Sequence, residues 1–138
     1  MIVVDTNIIA HFYIPGEFSS MADSIKLKDS EWITSHLWRF EFRNVIQKYI
    51  RAKLIELPDA IQILEDAEIA LFGKEISVPP SQFINVAANS KCSGYDCEFV
   101  SVAKGLNLKL ITFDKKIVRE FPDHAILATT FLNEPSTD

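Results

Sequence analysis

The chain opens on three consecutive β-branched residues, Ile2-Val3-Val4, that stop at a carboxylate, Asp5. A short unbroken apolar run of this kind predicts a strand buried on both faces. The apolar period then changes. Thr6 to Phe12 predicts a short helix, Pro15-Gly16 breaks it, and Met21, Ile25 and Leu27 mark a sparse second helix from about Glu17 to Lys28. Trp32-Ile33-Thr34 is a brief strand, after which Ser35 is placed to cap a helix. That helix carries Leu37, Trp38, Phe42, Val45, Ile46, Tyr49 and Ile50 at helical spacing, the strongest such signal in the chain.

Leu57-Pro58-Asp59 restarts a helix with proline in its first turn, running through Ile61, Leu64, Ala67 and Leu71 to a break at Gly73. Ile76-Ser77-Val78 is a weak strand. Pro79-Pro80 precedes a helix from Ser81 to about Ser90, and Tyr95 to Lys104 predicts another that ends at Gly105. Leu108 to Thr112 is a clear apolar strand. Asp114 begins a helix through Ile117, Val118 and Phe121 that Pro122 stops, and Ala125 to Leu127 is a last short strand. Short strands alternating with longer helices imply βαβ units, right-handed crossovers and a mainly parallel sheet covered on both faces. No repeat or linker interrupts the series, so the expectation is a single domain over residues 1–132 with a polar tail at 133–138.

Composition narrows the class. A chain of 138 residues with 48% hydrophobic and 24% charged residues suits one ordinary soluble domain with a single core. The formal net charge of -5 repels phosphate backbone at long range, so contact with nucleic acid requires a local basic patch or cations held by the acids. Cys92 and Cys97 are too few for a disulfide framework and form no zinc pattern with the three histidines. A reducing cytoplasm is the simplest expectation. No apolar stretch approaches the roughly 20 residues of a membrane span, and Asp5 cuts the first run short of a signal peptide.

Four acids carry the candidate chemistry: Asp5, Glu41, Asp96 and Asp114. Three have a structural explanation as helix caps, because Asp5 and Asp114 lie between a strand and a helix, and Ser93-Gly94-Tyr95-Asp96 matches a capping box. Glu41 has none as good. On a helical wheel it falls between Leu37 and Val45, near Trp38, at the edge of the core-facing stripe, while Arg39 and Arg43 project elsewhere. A carboxylate turned toward a low-dielectric region requires a cation or donor beside it. Clustered carboxylates repel one another unless a hard cation neutralises them, and Mg²⁺ or Mn²⁺ prefers such oxygen ligands. A site of this kind suits phosphodiester hydrolysis. No nucleophile sits beside His11, His36 or His124 in any evident triad, and no glycine-rich phosphate loop is present.

These residues resemble the PIN-domain ribonucleases, most closely the small toxins of the VapC type. The matching pieces are Val3-Val4-Asp5-Thr6-Asn7, Trp38-Arg39-Phe40-Glu41-Phe42-Arg43-Asn44-Val45, Tyr95-Asp96-Cys97-Glu98-Phe99 before Ala103, and Leu110-Ile111-Thr112-Phe113-Asp114. The resemblance implies a three-layer α/β/α sandwich and an endoribonuclease that uses Mg²⁺ or Mn²⁺ held by Asp5, Glu41, Asp96 and Asp114. It implies Asn7 and Thr112 as polar helpers, a homodimer, an RNA substrate and a small antitoxin protein as partner. Two features depart from the pattern: Cys97 stands where alanine is common, and the tail after Leu132 has no fixed counterpart.

Lys115, Lys116 and Arg119 follow Asp114, and Arg39 and Arg43 flank Glu41, as an RNA groove would require. Exposed cations of this kind are most often only solvated. Phe12, Tyr13, Trp32 and Trp38 could stack on bases, although core packing explains each more simply. Two other classes stay open on sequence alone. One is a binding module that keeps the fold without cutting. The other is a phosphatase or phosphoacceptor domain using a strand-end Asp, which usually places a second acid two residues on, where this chain has Asn7.

Overall fold

Five short strands and eight helices alternate along the computed structural model, which describes residues 1–136. The strands are β1 (Ile2–Val4), β2 (Trp32–Ser35), β3 (Glu75–Ile76), β4 (Leu110–Thr112) and β5 (Ala125–Leu127). The helices are α1 (Thr6–Tyr13), α2 (Ser19–Lys28), α3 (Leu37–Arg51), α4 (Leu57–Ala70), α5 (Pro80–Ala87), α6 (Gly94–Leu106), α7 (Lys115–Glu120) and α8 (Ala128–Asn133). All strand pairs are parallel, in the order β3-β2-β1-β4-β5. This is the α/β/α fold the alternating pattern implies.

Strand order decides where a site can form. From β1 the chain moves outward through β2 and β3, then returns to the other side of β1 for β4 and β5. The direction reverses between β1 and β4, and loops leaving the carboxyl ends of strands at such a switch point diverge to leave a crevice. Register puts Val3 beside Leu110 and Val4 beside Ile111, so Asp5 and the turn after Thr112 leave the sheet side by side. The core beneath is apolar: Val3, Val4, Leu110 and Ile111 are fully buried, with Trp38 and Phe42 of α3 and Val100 and Ala103 of α6.

Several elements differ from the expectation. The third strand is Glu75–Ile76 rather than 76–78, a two-residue edge pairing with Thr34 and Ser35. Ser35 ends β2, and its hydroxyl accepts from the Leu37 amide at 3.1 Å, whereas the formal cap, His36, makes no side-chain bond. Helix α8 lies where the sequence suggests only the approach to the tail. Its threonines are poor helix formers, and what secures it is distant: the Lys28 ammonium donates to the carbonyls of Phe131 and Glu134 and sits 4.5 Å from the Phe131 ring centroid. Thr137 and Asp138 of the expected tail lie outside the described residues. Among the described residues, no helix is long and apolar enough to cross a membrane.

Candidate active site

At the carboxyl edge of the sheet a small cleft of about 170 Å³ is lined by Asp5, Glu41 and Asp96, with Thr6 and Asn7 beside them. Three separate elements deliver the acids. Asp5 ends β1 and caps α1, Glu41 stands in the second turn of α3, and Asp96 lies in the first turn of α6. Asn44, Val45 and Phe99 complete the lining, and it contains no cationic side chain.

Asp5 is only 6% exposed. One carboxylate oxygen accepts from the Ile8 amide at 3.2 Å, and the other accepts from the Thr112 hydroxyl at 2.6 Å. Burial pushes its pKa up to about 6, against the pull of those two donors, and the neighbouring charges of Glu41 and Asp96 push the same way. Glu41 is half-buried and raised for the same first reason, desolvation, with Asp96 adding repulsion. Its one protein donor among the described residues is the Thr6 hydroxyl, 2.6 Å from Oε1. Asp96 is half-buried, and its backbone amide donates to the Ser93 hydroxyl at 3.0 Å; this is one half of the capping box expected there, and among the described residues the Asp96 carboxylate does not accept from the Ser93 amide in return.

Asp114 stands apart. It caps α7 by accepting from the Lys116 amide at 2.8 Å and is not among the side chains lining the cleft. Its link is Thr112, whose buried hydroxyl donates to Asp5 and accepts from the Asp114 amide at 3.0 Å. Lys115, Lys116 and Arg119 are exposed on α7 and make no ion pair among the described residues. Arg39 and Arg43 are committed elsewhere. Arg39 bonds Glu75 at 3.0 Å and Arg43 bonds Glu68 at 2.6 Å, so neither answers the charge of Glu41.

Thr6 and Asn44 are site residues that the sequence pattern does not single out. The signal for Thr6 is its place directly after Asp5, but its acceptor lies 35 residues away and only the fold reveals it. A larger groove of about 640 Å³, lined by Tyr13, Tyr49, Leu54 and Ile63, lies at the far end of α3 and gathers no comparable set of acids.

The donor set suits a hard divalent cation, being carboxylate oxygens with no imidazole, thiolate or competing ammonium among them. Among the described residues, no three His, Cys, Asp or Glu side chains stand close enough to hold an ion as they are. The acids therefore line the cleft from different sides without meeting at one point. Burial raises Asp5 and Glu41 first and their neighbours' charges add to it, an effect that a bound cation would oppose.

Comparison with known proteins speaks to the fold and the family. A crystal structure of a Pyrobaculum aerophilum protein superposes with a TM-score of 0.69 over 94% of this chain and 92% of that one, at 22% identity, which is a likeness of fold. The curated protein Ribonuclease VapC3 from the same organism is 29% identical over 126 residues, covering 88% of this chain and 95% of the relative. The PIN domain family itself matches residues 2–121, from the first residue of β1 to the last turn before Pro122, and this chain belongs to that family.

Proposed function

We propose that this protein is a divalent-metal-dependent endoribonuclease, the toxin of a toxin–antitoxin pair. The observation that carries it is the cleft at the switch point, which Asp5, Glu41 and Asp96 line together with no cationic side chain among them. The likeness to Ribonuclease VapC3 supports RNA as the substrate. A homodimer, a small antitoxin partner and a cytoplasmic location belong to the same reading.

In this reading Asp5, Glu41 and Asp96 hold Mg²⁺ or Mn²⁺, with Asp114 joining from outside the lining, and Lys115 and Lys116 meet the RNA backbone, more weakly aided by Arg119, while Arg39 and Arg43 stay with Glu75 and Glu68. The cation, when bound, supplies positive charge to a phosphodiester and lowers the pKa of water beside it. The chain's own groups prepare the place. Thr112 and the Ile8 amide hold both oxygens of Asp5, and Thr6 holds Oε1 of Glu41, leaving Oε2 with no protein donor among the described residues. Asn7 lies exposed at the cleft, as a donor or acceptor for water or phosphate. A module that only binds has no use for acids that repel one another in a buried cleft, which weighs against the non-cutting reading.

The test is cleavage of single-stranded RNA by purified protein freed of any partner. Activity should require Mg²⁺ or Mn²⁺ and fall by roughly a thousandfold or more in Asp5→Asn and Asp96→Asn, since removing a catalytic electrostatic group costs about that much. Absence of cleavage with either metal would overturn the proposal.

A further inference from the structure

Two large aromatic rings stand exposed next in sequence to acids of the cleft. Phe40 is 68% exposed and Tyr95 is 66% exposed, and each directly precedes a cleft acid, Glu41 or Asp96. Each also lies one helical turn before a lining residue: Asn44 follows Phe40 by four on α3, and Phe99 follows Tyr95 by four on α6. Side chains four apart share a helix face, and helical Cα–Cβ bonds tilt toward the N-terminus. Helix spacing therefore sets each ring next to a lining residue, outside the lining itself.

Exposed apolar side chains are common singly, so exposure alone decides nothing. Placement does more. Trp32 and Trp38 are buried, and Phe12 and Tyr13 pack in edge-on and tilted contacts with Trp32 and Phe42. Phe40 and Tyr95 pair with no other ring among the described residues. They stand largely in solvent on two helices that each supply residues to the cleft lining.

Size says what enters and what stays outside. At about 170 Å³ the cleft is smaller than the roughly 300–1,000 Å³ of pockets that enclose small organic ligands. It can take a phosphate but not a nucleotide, so bases on either side must remain on the rim. A flat base with two apolar faces stacks well on an aromatic ring, and only an unpaired strand offers those faces. Lys115 and Lys116, exposed after Asp114 and without ion pairs among the described residues, supply charge for the adjoining phosphates.

We infer that Phe40 and Tyr95 form a base-stacking rim, which seats the reacting phosphate of single-stranded RNA in the cleft between two unpaired bases. The inference rests on the ribonuclease reading and adds the residues that hold the substrate. Phe40→Ala and Tyr95→Ala should each lower kcat/KM on a short oligoribonucleotide about tenfold, mainly through KM, because one stacked base contributes about that much. Thermal midpoints should not move, and Tyr95→Phe should behave as wild type. In a scan of abasic nucleotides along the substrate, one position should cost wild type the same factor while the matching alanine variant loses nothing more. Tyr95→Trp in an Asp5→Asn background should show fluorescence quenching on RNA addition, since Trp32 and Trp38 are buried. Unchanged kcat/KM in both alanine variants overturns the rim; a change confined to oligomeric state would make the rings protein contacts instead. If wild type cuts no RNA, the ribonuclease reading fails and takes the rim with it, whereas cutting with indifferent variants removes the rim alone.

Discussion

Helix α3 carries Glu41 between two arginines, Arg39 and Arg43, and sends the three side chains into opposite electrostatic settings. On one side, Arg39 and Arg43 meet Glu75 and Glu68 at 3.0 and 2.6 Å, with His36 3.7 Å from the second Glu75 oxygen. On the other, Glu41 shares a cleft with Asp5 and Asp96 and has a threonine hydroxyl in place of a guanidinium. Both regions take carboxylates partly out of water. In the first the charge is cancelled within the protein; in the second it is held in place by neutral donors and left standing. A fold that could have paired Glu41 and does not is one that leaves the charge for something else to neutralise, and that is the physical content of a site suited to a cation.

The contrast is sharpest in stability. The Asp5 carboxyl binds its proton more tightly in the folded chain, near pH 6, than at the ordinary 3.8. Without metal, the fold therefore loses stability as pH rises between those values and is fully penalised above them. Asp5→Asn should raise the stability of the metal-free protein by up to roughly 3 kcal/mol at pH 8 and by nearly nothing at pH 4, since a tenfold change in proton affinity corresponds to about 1.4 kcal/mol. Urea unfolding in a chelator at the two pH values measures it, and a mutant equally or less stable at pH 8 would return Asp5 to a purely structural cap.

The paired region should respond the other way. Arg39→Ala strips Glu75, whose side chain is 9% exposed, of its guanidinium partner. It should destabilise the fold by about 2 kcal/mol, below the figure for a fully buried pair because Arg39 is partly in water. RNA cleavage at a temperature where the variant stays folded should be little changed. A loss of activity without loss of stability would bring Arg39 back as an RNA contact.

The neutral donors offer the smallest and most specific perturbation. Thr6→Val keeps the shape of the side chain and removes the hydroxyl that orients Glu41. Mn²⁺ affinity by calorimetry should weaken about tenfold, as for other groups that orient a metal ligand. Thr6→Ser should restore it. An unchanged affinity would mean that the threonine serves only its own buried hydroxyl.

Much of this could be read along the chain because it is local. The apolar run before Asp5, the caps at Asp5, Ser93 and Asp114, and the prolines that start or stop helices act through neighbours within a few residues, and the structure keeps all of them. That Asp5, Glu41 and Asp96 share one edge was legible for the same reason, since alternating strands and helices return every strand's carboxyl end to one edge.

What the sequence could not reach was which groups become partners. That Arg39 turns to Glu75 and not Glu41, that Thr6 meets Glu41 and Thr112 meets Asp5, that Asp114 lies off the cleft lining, and that Lys28 holds α8, each joins residues many positions apart. Local propensity specifies the elements and the residues at their ends. The packing of α3 against the sheet and the parallel pairing of β1 with β4 then decide which of those residues face a cation, a hydroxyl or open water, and only the packed core sets that arrangement.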